Sequence, residues 1–195
     1  MKIRTNIVLI GFMGAGKTEV GKILAKNKGF NFIDLDCLIE AQEGMNITEI
    51  FKQKGESYFR NLETEILKKI DNDKTDVYKL KFAEKCAEIN NHESKNWVIS
   101  TGGGMPAFNG NIKVFKNIGI ILYLKASPKT IYDRIKSEVH RPVLGGSGFT
   151  EETVAEKLKE REKFYWQADI VIYTEGLTTS AVAEEIGIFL NKNQN

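Results

Sequence analysis

IVLIGFMGAGKT, at residues 7–18, carries the strongest indication of fold in this chain. Its first four residues form a short apolar run of the kind found in buried strands of parallel sheets. The next eight match G-x-x-x-x-G-K-[ST], a glycine-rich loop that joins a strand to a helix and binds nucleotide phosphates. Glycines let backbone N–H groups point at the phosphates, and the following helix presents its positive end to them. The stretch therefore predicts an α/β nucleotide-binding domain.

The residue types of this loop predict individual roles. Lys17 is expected to reach the β- and γ-phosphates, and the hydroxyl of Thr18 is expected to ligate Mg²⁺. The alternative, a tight glycine turn with a solvated lysine, leaves the pairing of these two residues unexplained. A GTPase is not favoured, because the sequence lacks an Asn-Lys-x-Asp guanine-reading motif. The predicted ATP contacts within the loop are Gly14, Ala15, Gly16, Lys17, Thr18 and Glu19.

Further short apolar runs predict the other strands of a parallel sheet, at residues 30–34, 97–100, 118–124 and 169–173. Helical stretches separate them, which is the alternation typical of βαβ units. Helices are predicted from the glycine loop to Lys28, from Ser127-Pro128 onward, from about Thr150 to Tyr165, and from Ser180 to Leu190.

Composition limits the classes of protein to consider. The chain has 195 residues and is 42% hydrophobic, which is enough for one core, so a single domain over residues 1–195 is expected. A net charge of +2 favours neither nucleic acid nor membrane as a partner. Cys37 and Cys86 lie far apart without metal-binding spacing, so neither a disulfide nor a zinc site is predicted. A reducing, cytoplasmic location is expected.

Two segments depart from the βα pattern. Residues 71–95 are polar, with one possible helix over residues 77–89, and are interpreted as a surface insertion without chemistry. Residues 136–149 combine Arg141 with a glycine-rich run, which suggests a lid that closes over the nucleotide. A plain connector is the alternative for this second segment.

Two carboxylates follow the second predicted strand, at Asp34 and Asp36. In an extended segment alternate residues project to one side, so both are expected to face the same volume. One can support the Mg²⁺ shell, and the other can accept a proton or hydrogen bond from an attacking hydroxyl. Ligands of open α/β sheets bind beyond the carboxyl ends of the strands, which fits this position.

These motifs together resemble the shikimate kinase family. That family combines the glycine loop with a D-x-D pair, a Phe-Arg pair, a triple glycine, an R-P lid and a later arginine before a tyrosine. All occur here in order, and they extend over nearly the whole chain. They are residues 11–18, Asp34 and Asp36, Phe59-Arg60, Gly102 to Gly104, Arg141-Pro142, and Arg161 with Tyr165.

The resemblance implies a P-loop fold like that of nucleoside monophosphate kinases, a three-layer α/β/α sandwich with a five-stranded parallel sheet. It implies ATP-dependent phosphorylation of the 3-hydroxyl of shikimate by a monomeric enzyme with Mg²⁺. Asp36, Lys17 and Arg141 would be catalytic, and Arg134 and Arg141 would also contact ATP. Thr18 and Asp34 would serve the metal. The implied substrate contacts are Asp36, Arg60, Gly103, Gly104, Arg161, Phe51, Phe59 and Glu63.

Two other functions compete with this interpretation. A related kinase acting on gluconate or a nucleoside monophosphate would share the loop and the lid but would need a different acceptor pocket. A nucleotide-binding regulator without catalysis would be expected to lack the lysine or the acceptor acid, whereas Lys17 and Asp36 are both present.

Overall fold

The glycine-rich loop joins a strand to a helix, as predicted. In the computed structural model, which describes residues 6–73, 80–136 and 150–192, strand β1 (Asn6–Ile10) precedes the loop and helix α1 (Lys17–Lys28) follows it. The helix ends at Gly29, whose φ of 64° is left-handed and whose N–H bonds to the last turn. The predicted end of this helix is therefore confirmed.

The sheet of the described chain has the strand order β3-β2-β4-β1-β5-β6. Its members besides β1 are β2 (Asn31–Asp34), β3 (Ala87–Glu88), β4 (Trp97–Ser100), β5 (Gly119–Lys125) and β6 (Ile170–Tyr173). The five predicted strands pair in parallel. The short edge strand β3, which the sequence did not indicate, pairs with β2 in the antiparallel sense.

Helices follow most of the strands. After α1 come α2 (Leu35–Glu43), α3 (Ile47–Lys54), α4 (Glu56–Asp73), α5 (Ala83–Cys86), α6 (Asn111–Ile118), α7 (Pro128–Ile135), α8 (Glu151–Tyr165) and α9 (Thr179–Lys192). The predicted starts of α7 and α8 are confirmed, because Ser127 and Thr150 cap the first turns with their side chains. Among the residues that the structure describes, none of the helices has the length and hydropathy that a membrane span requires.

Both faces of the sheet are covered, which gives the predicted three layers. On β1, Val8 and Ile10 pack into the larger core with residues of α2, α4 and α8, whereas Ile7 and Leu9 pack against α1 and α9. This alternation follows from the period of two along a strand. Burial on both faces explains why the strands read as continuous apolar runs rather than alternating ones.

The polar segment 71–95 does more than cover the surface. In its described part, the predicted helix over residues 77–89 is wrong beyond α5, because Ala87 and Glu88 form the edge strand. Asn31 anchors the segment: its fully buried side chain accepts hydrogen bonds from the backbone N–H groups of Asn90 and Asn91, each at 3.1 Å. Residues 85–88 also line the main cavity.

Cys37 and Cys86 form a disulfide, contrary to the prediction. Their Cα atoms are 5.7 Å apart although 49 positions separate them in sequence. Spacing along the chain carries no sign of this pair, because only the antiparallel pairing of β3 with β2 brings α5 next to the start of α2. The bond ties the segment 80–95 to the helix that carries Asp36.

Candidate active site

A cavity of about 1040 Å³ opens at the carboxyl ends of the parallel strands. Its size suits a nucleotide together with a small acceptor. Ala15 does not line it, since its side chain is buried in the core, and Arg141 lies outside the described residues. The predicted site residues that line it are Gly14, Gly16, Lys17, Thr18, Glu19, Asp34, Asp36, Phe51, Phe59, Arg60, Glu63, Gly103, Gly104, Arg134 and Arg161.

The phosphate-binding loop depends on glycine for conformation and for space. Gly14 and Gly16 have left-handed φ values of 73° and 90°. A Cβ on Gly14 would also lie 2.8 Å from the side chain of Ile135 on α7. Side chains at these positions would therefore be strained, which agrees with a loop shaped to receive phosphates along its backbone.

The side chain of Lys17 folds back onto the phosphate-binding loop. Its Nζ donates hydrogen bonds of 3.0 Å each to the carbonyl oxygens of Gly11 and Phe12, and the residue is only 8% exposed. These carbonyls hold the ammonium group at the mouth of the loop, next to the start of α1. A phosphate bound there would meet both the lysine and the positive end of the helix.

Thr18 and Asp34 are joined by a hydrogen bond, which the sequence could not show. The Thr18 hydroxyl donates to Asp34 Oδ2 at 2.7 Å, and Ser100 Oγ lies 3.4 Å from the same hydroxyl. Asp34 Oδ1 accepts from the backbone N–H groups of Asp36 and Cys37. A threonine that donates to a carboxylate keeps its oxygen lone pairs for a cation, so this pair fits a Mg²⁺ shell.

Asp36 reaches the cavity by a different route from the one predicted. Asp34 is the N-cap of α2, and Asp36 lies in the first turn of that helix, so the expected extended segment is wrong. Both residues nevertheless line the cavity. The N-cap bonds of Asp34 hold this turn in place, and thereby position Asp36.

Each glycine of the triple-glycine segment touches a different part of the site. A Cβ on Gly102 would lie 2.5 Å from Asp36 Oδ1, and one on Gly104 would lie 2.5 Å from Arg60 Nη1. A Cβ on Gly103 would lie 2.9 Å from the backbone nitrogen of Met13 in the phosphate loop. Three consecutive residues therefore join the phosphate loop, the carboxylate and the arginine in one cluster.

Arg60 is buried and held by two carboxylates on its own helix. Its Nη1 donates to both carboxylate oxygens of Glu63, at 3.0 and 2.9 Å, as the predicted support of Arg60 by Glu63 requires. Its Nε and Nη2 donate to Oε1 of Glu56, at 3.2 and 2.9 Å. The ring of Phe108 lies 4.3 Å from the guanidinium carbon, within cation–π range.

The chain is similar to known shikimate kinases in both sequence and structure. The shikimate kinase family model matches residues 13–80 and 81–191. A shikimate kinase of Thermodesulfovibrio yellowstonii is 43% identical over 181 residues, which cover 93% of this chain and 92% of the relative. The solved structure of the Acinetobacter baumannii shikimate kinase in complex with shikimate matches with a TM-score of 0.80 and 30% identity, covering 98% of this chain and 95% of that one.

This chain belongs to the shikimate kinase family. Membership makes it a kinase with a P-loop fold, and it decides against the catalytically inactive regulator and the other small-molecule kinases. The family resemblance drawn from the sequence motifs is confirmed. The roles of individual residues in this family member stay predictions.

Arg161 and Tyr165 both contact the site from α8. Arg161 lines the cavity from α8, and its guanidinium carbon is 5.5 Å from the ring of Phe12. The Tyr165 hydroxyl donates to the carbonyl oxygen of Gly103, so α8 also supports the triple-glycine segment. Arg161 and Tyr165 are one helical turn apart, so they lie on the same side of α8.

Arg134 lies at the phosphate loop of this shikimate kinase family member. Its Nη1 donates to the carbonyl oxygen of Gly14 at 3.1 Å from an exposed position on α7. The expected contact with adenine stays a prediction. The bond itself ties the helix that precedes the predicted lid to the nucleotide site.

Sequence reasoning missed two partners of Arg60. Glu56 lies four residues before Arg60, so the i,i+4 spacing on a helix could have revealed it once α4 was assigned. Phe108 follows the short 3₁₀ helix Met105–Ala107 and has no such signal. It meets Arg60 only because the triple-glycine segment and α4 pack together.

The raised pKa of Glu63 predicts that the stability of the protein depends on pH. Burial raises the pKa of its carboxyl from the ordinary 4.5 to about 8, against the opposing effect of Arg60. Between these values the folded protein holds a proton that the unfolded chain has released. The free energy of unfolding should therefore fall as pH rises from about 5 to about 8, by at most about 1.4 kcal/mol per unit.

Urea denaturation at several pH values would check this expectation in the unliganded protein. Glu63→Gln should remove most of the slope, whereas Glu65→Gln, at an exposed position of the same helix, should retain it. Parallel curves for the parent and Glu63→Gln would show that the Glu63 carboxylate is ionised throughout this range.

Proposed function

We propose that the protein transfers the γ-phosphoryl group of ATP to the 3-hydroxyl of shikimate, giving shikimate 3-phosphate and ADP in the route to aromatic amino acids. The observation that carries this proposal is the triple-glycine cluster, where the phosphate loop, Asp36 and Arg60 meet along three consecutive residues. A small acceptor that bears both a hydroxyl and a carboxylate matches that set of groups. Shikimate, with which the Acinetobacter baumannii relative was solved, has both.

Two arginines are proposed to hold the acceptor carboxylate. A guanidinium offers paired N–H groups that match a carboxylate, and two such groups would fix one orientation of the ring. Arg60 and Arg161 both line the cavity, from α4 and α8. Phe51 and Phe59 lie beside Arg60 with ring centroids 5.0 Å apart, and they would cover the apolar face of the acceptor ring. The backbone N–H groups of Gly103 and Gly104 would complete the acceptor site.

Thr18 and Asp34 are proposed to hold Mg²⁺, Thr18 as a direct ligand and Asp34 through its hydrogen bond to Thr18. The cation would neutralise charge on the β- and γ-phosphates. Few protein ligands are expected, since Mg²⁺ in kinases keeps waters and binds mainly to substrate phosphates. The bonds from the first turn of α2 to Asp34 would keep this pair in place without the nucleotide.

Catalysis would come from position and charge. Asp36 accepts the hydrogen of the acceptor hydroxyl and aligns its oxygen with the γ-phosphorus. The oxygen–phosphorus bond to the acceptor forms as the bond to the β-phosphate oxygen breaks, and the proton leaves by way of Asp36. Lys17 exchanges its two loop carbonyls for phosphate oxygens. Arg141, outside the described residues, is still predicted to stabilise the same charge.

We further propose that the protein acts as a monomer in the cytoplasm, without nucleic acid or membrane partners. The Cys37–Cys86 disulfide does not fit the reducing compartment expected from the sequence, since disulfides are rare in cytosolic proteins. A net charge of +2 supports the absence of polyanionic partners. Size-exclusion chromatography with light scattering would test the first point, and a mass near twice 22.0 kDa would contradict it.

The experiment that tests the reaction is ADP release from MgATP by the purified protein, with shikimate, gluconate or AMP as acceptor. Release that depends on shikimate, with one shikimate 3-phosphate formed per ADP, is expected. Release with gluconate or AMP but not with shikimate would retain the kinase fold and contradict the acceptor site. ATP binding without transfer to any acceptor would contradict the proposed reaction.

A further inference from the structure

The guanidinium of Arg60 is occupied on two sides by the protein's own carboxylates. An arginine binds a carboxylate best through two parallel N–H groups along one edge. The edge formed by Nε and Nη2 is taken by Glu56, and Nη1, which the other edge needs, donates to both carboxylate oxygens of Glu63. An acceptor carboxylate that binds Arg60 in this way must therefore displace one of the two.

The two carboxylates differ in how easily they can leave. The side chain of Glu63 is 0% exposed, so losing Arg60 would leave its buried carboxyl group without the hydrogen bonds that Arg60 donates. The side chain of Glu56 is 52% exposed, and water can replace Arg60 around it. Water therefore competes for the Glu56 side of this ion pair, although the side chain of Arg60 is only 6% exposed. Glu56 is therefore the one that can exchange.

We propose that Glu56 occupies the edge of Arg60 that the acceptor carboxylate takes, and that the acceptor displaces it on binding. This inference rests on the proposed role of Arg60 in acceptor binding. Glu56 is then a specificity residue, because any acceptor must compete with an internal carboxylate for the same N–H groups.

Competition of this kind selects for anionic acceptors. A carboxylate that replaces Glu56 exchanges one negative charge for another, so Arg60 stays neutralised throughout. A neutral polyol can offer only uncharged oxygens, whose hydrogen bonds are about half as strong, and it would leave Glu56 in place. The raised pKa of Glu63 supports this view, since Glu56 then supplies the main counter-charge of Arg60 at neutral pH.

Two substitutions at Glu56 test the proposal through the KM for shikimate at saturating MgATP. Glu56→Gln removes the charge, whereas Glu56→Asp keeps it on a side chain too short for the same two bonds. A partly buried ion pair lowers the competent fraction of Arg60 by at least about two- to fivefold, so both variants should lower KM by that factor or more. Glu65→Gln, an exposed carboxylate on the same helix, should leave KM at the parental value.

The opposite outcomes overturn the proposal in distinguishable ways. A KM that rises or stays the same in Glu56→Gln would mean that Glu56 positions Arg60 from outside the acceptor site. A KM lowered by Glu56→Gln but not by Glu56→Asp would mean that Glu56 acts through its negative charge alone and not through its two hydrogen bonds to Arg60. Arg60→Ala tests the role of Arg60 separately from the displacement of Glu56. An unchanged KM in this variant would contradict the binding of the acceptor by Arg60. A raised KM would support that binding, so that only the displacement of Glu56 would be wrong.

Discussion

Replacing Asp36 with asparagine is expected to lower kcat for shikimate phosphorylation by about 10²- to 10⁴-fold, the usual contribution of a positioned acid or base. Asparagine keeps the shape and can still meet Gly102, where Asp36 Oδ1 now lies. It cannot take the proton of the attacking hydroxyl. The substitution should therefore lower kcat. MgATP binding should be retained, because Asp36 is not part of the phosphate loop.

Steady-state ADP release together with calorimetric titration of nucleotide would separate these two effects. Glu65→Gln is a matched control, since it removes a carboxylate from an exposed position of α4. A thermal melt of each variant would exclude general unfolding. Parental turnover in Asp36→Asn would mean that Asp36 neither orients the hydroxyl nor accepts its proton.

Replacing Lys17 with alanine is expected to lower kcat by about 10²- to 10³-fold, the usual effect of removing one group that stabilises transition-state charge. The KM for ATP should rise as well, since the same ammonium group binds the phosphates in the ground state. The loop should keep its shape without this side chain, because its conformation depends on the left-handed glycines at positions 14 and 16. The melting temperature should therefore change little.

Lys26→Ala is the control for this variant, because Lys26 is an exposed lysine in the last turn of the same helix. It should match the parent in kcat and in KM for both substrates. A Lys17→Ala enzyme that differs from the parent only in its KM for shikimate would contradict the assignment of Lys17 to phosphate.

The elements predicted best are those with strong local signals. The strand at 7–10 and the helix ending at Lys28 are bounded by glycines whose left-handed conformation few other residues adopt. The starts of α7 and α8 follow from Ser127 and Thr150, whose hydroxyls satisfy backbone N–H groups that the helix itself cannot. Because such signals act within a few residues, they can be recognised from the amino-acid sequence alone.

The edge strand and the disulfide have no such signals. A two-residue strand such as β3 is too short for any hydrophobic period to show in the sequence, and it forms because β2 presents a free edge beside it.

The prediction for the two acidic residues after β2 was right about their location and wrong about their backbone conformation. Asp34 and Asp36 do face one cavity, but a helix that starts at Leu35 places them there instead of an extended chain.

The phosphate loop, the parallel α/β order and the identities of most groups that line the cavity could be predicted from the residues alone. These features depend on short spacings and on glycine and capping chemistry, which are local. The tertiary structure alone decided which groups meet: the triple glycine against three parts of the site, Thr18 against Asp34, and Phe108 against Arg60. Those contacts join residues far apart in sequence, and they form only when burial of the apolar strands brings the loops at their carboxyl ends together.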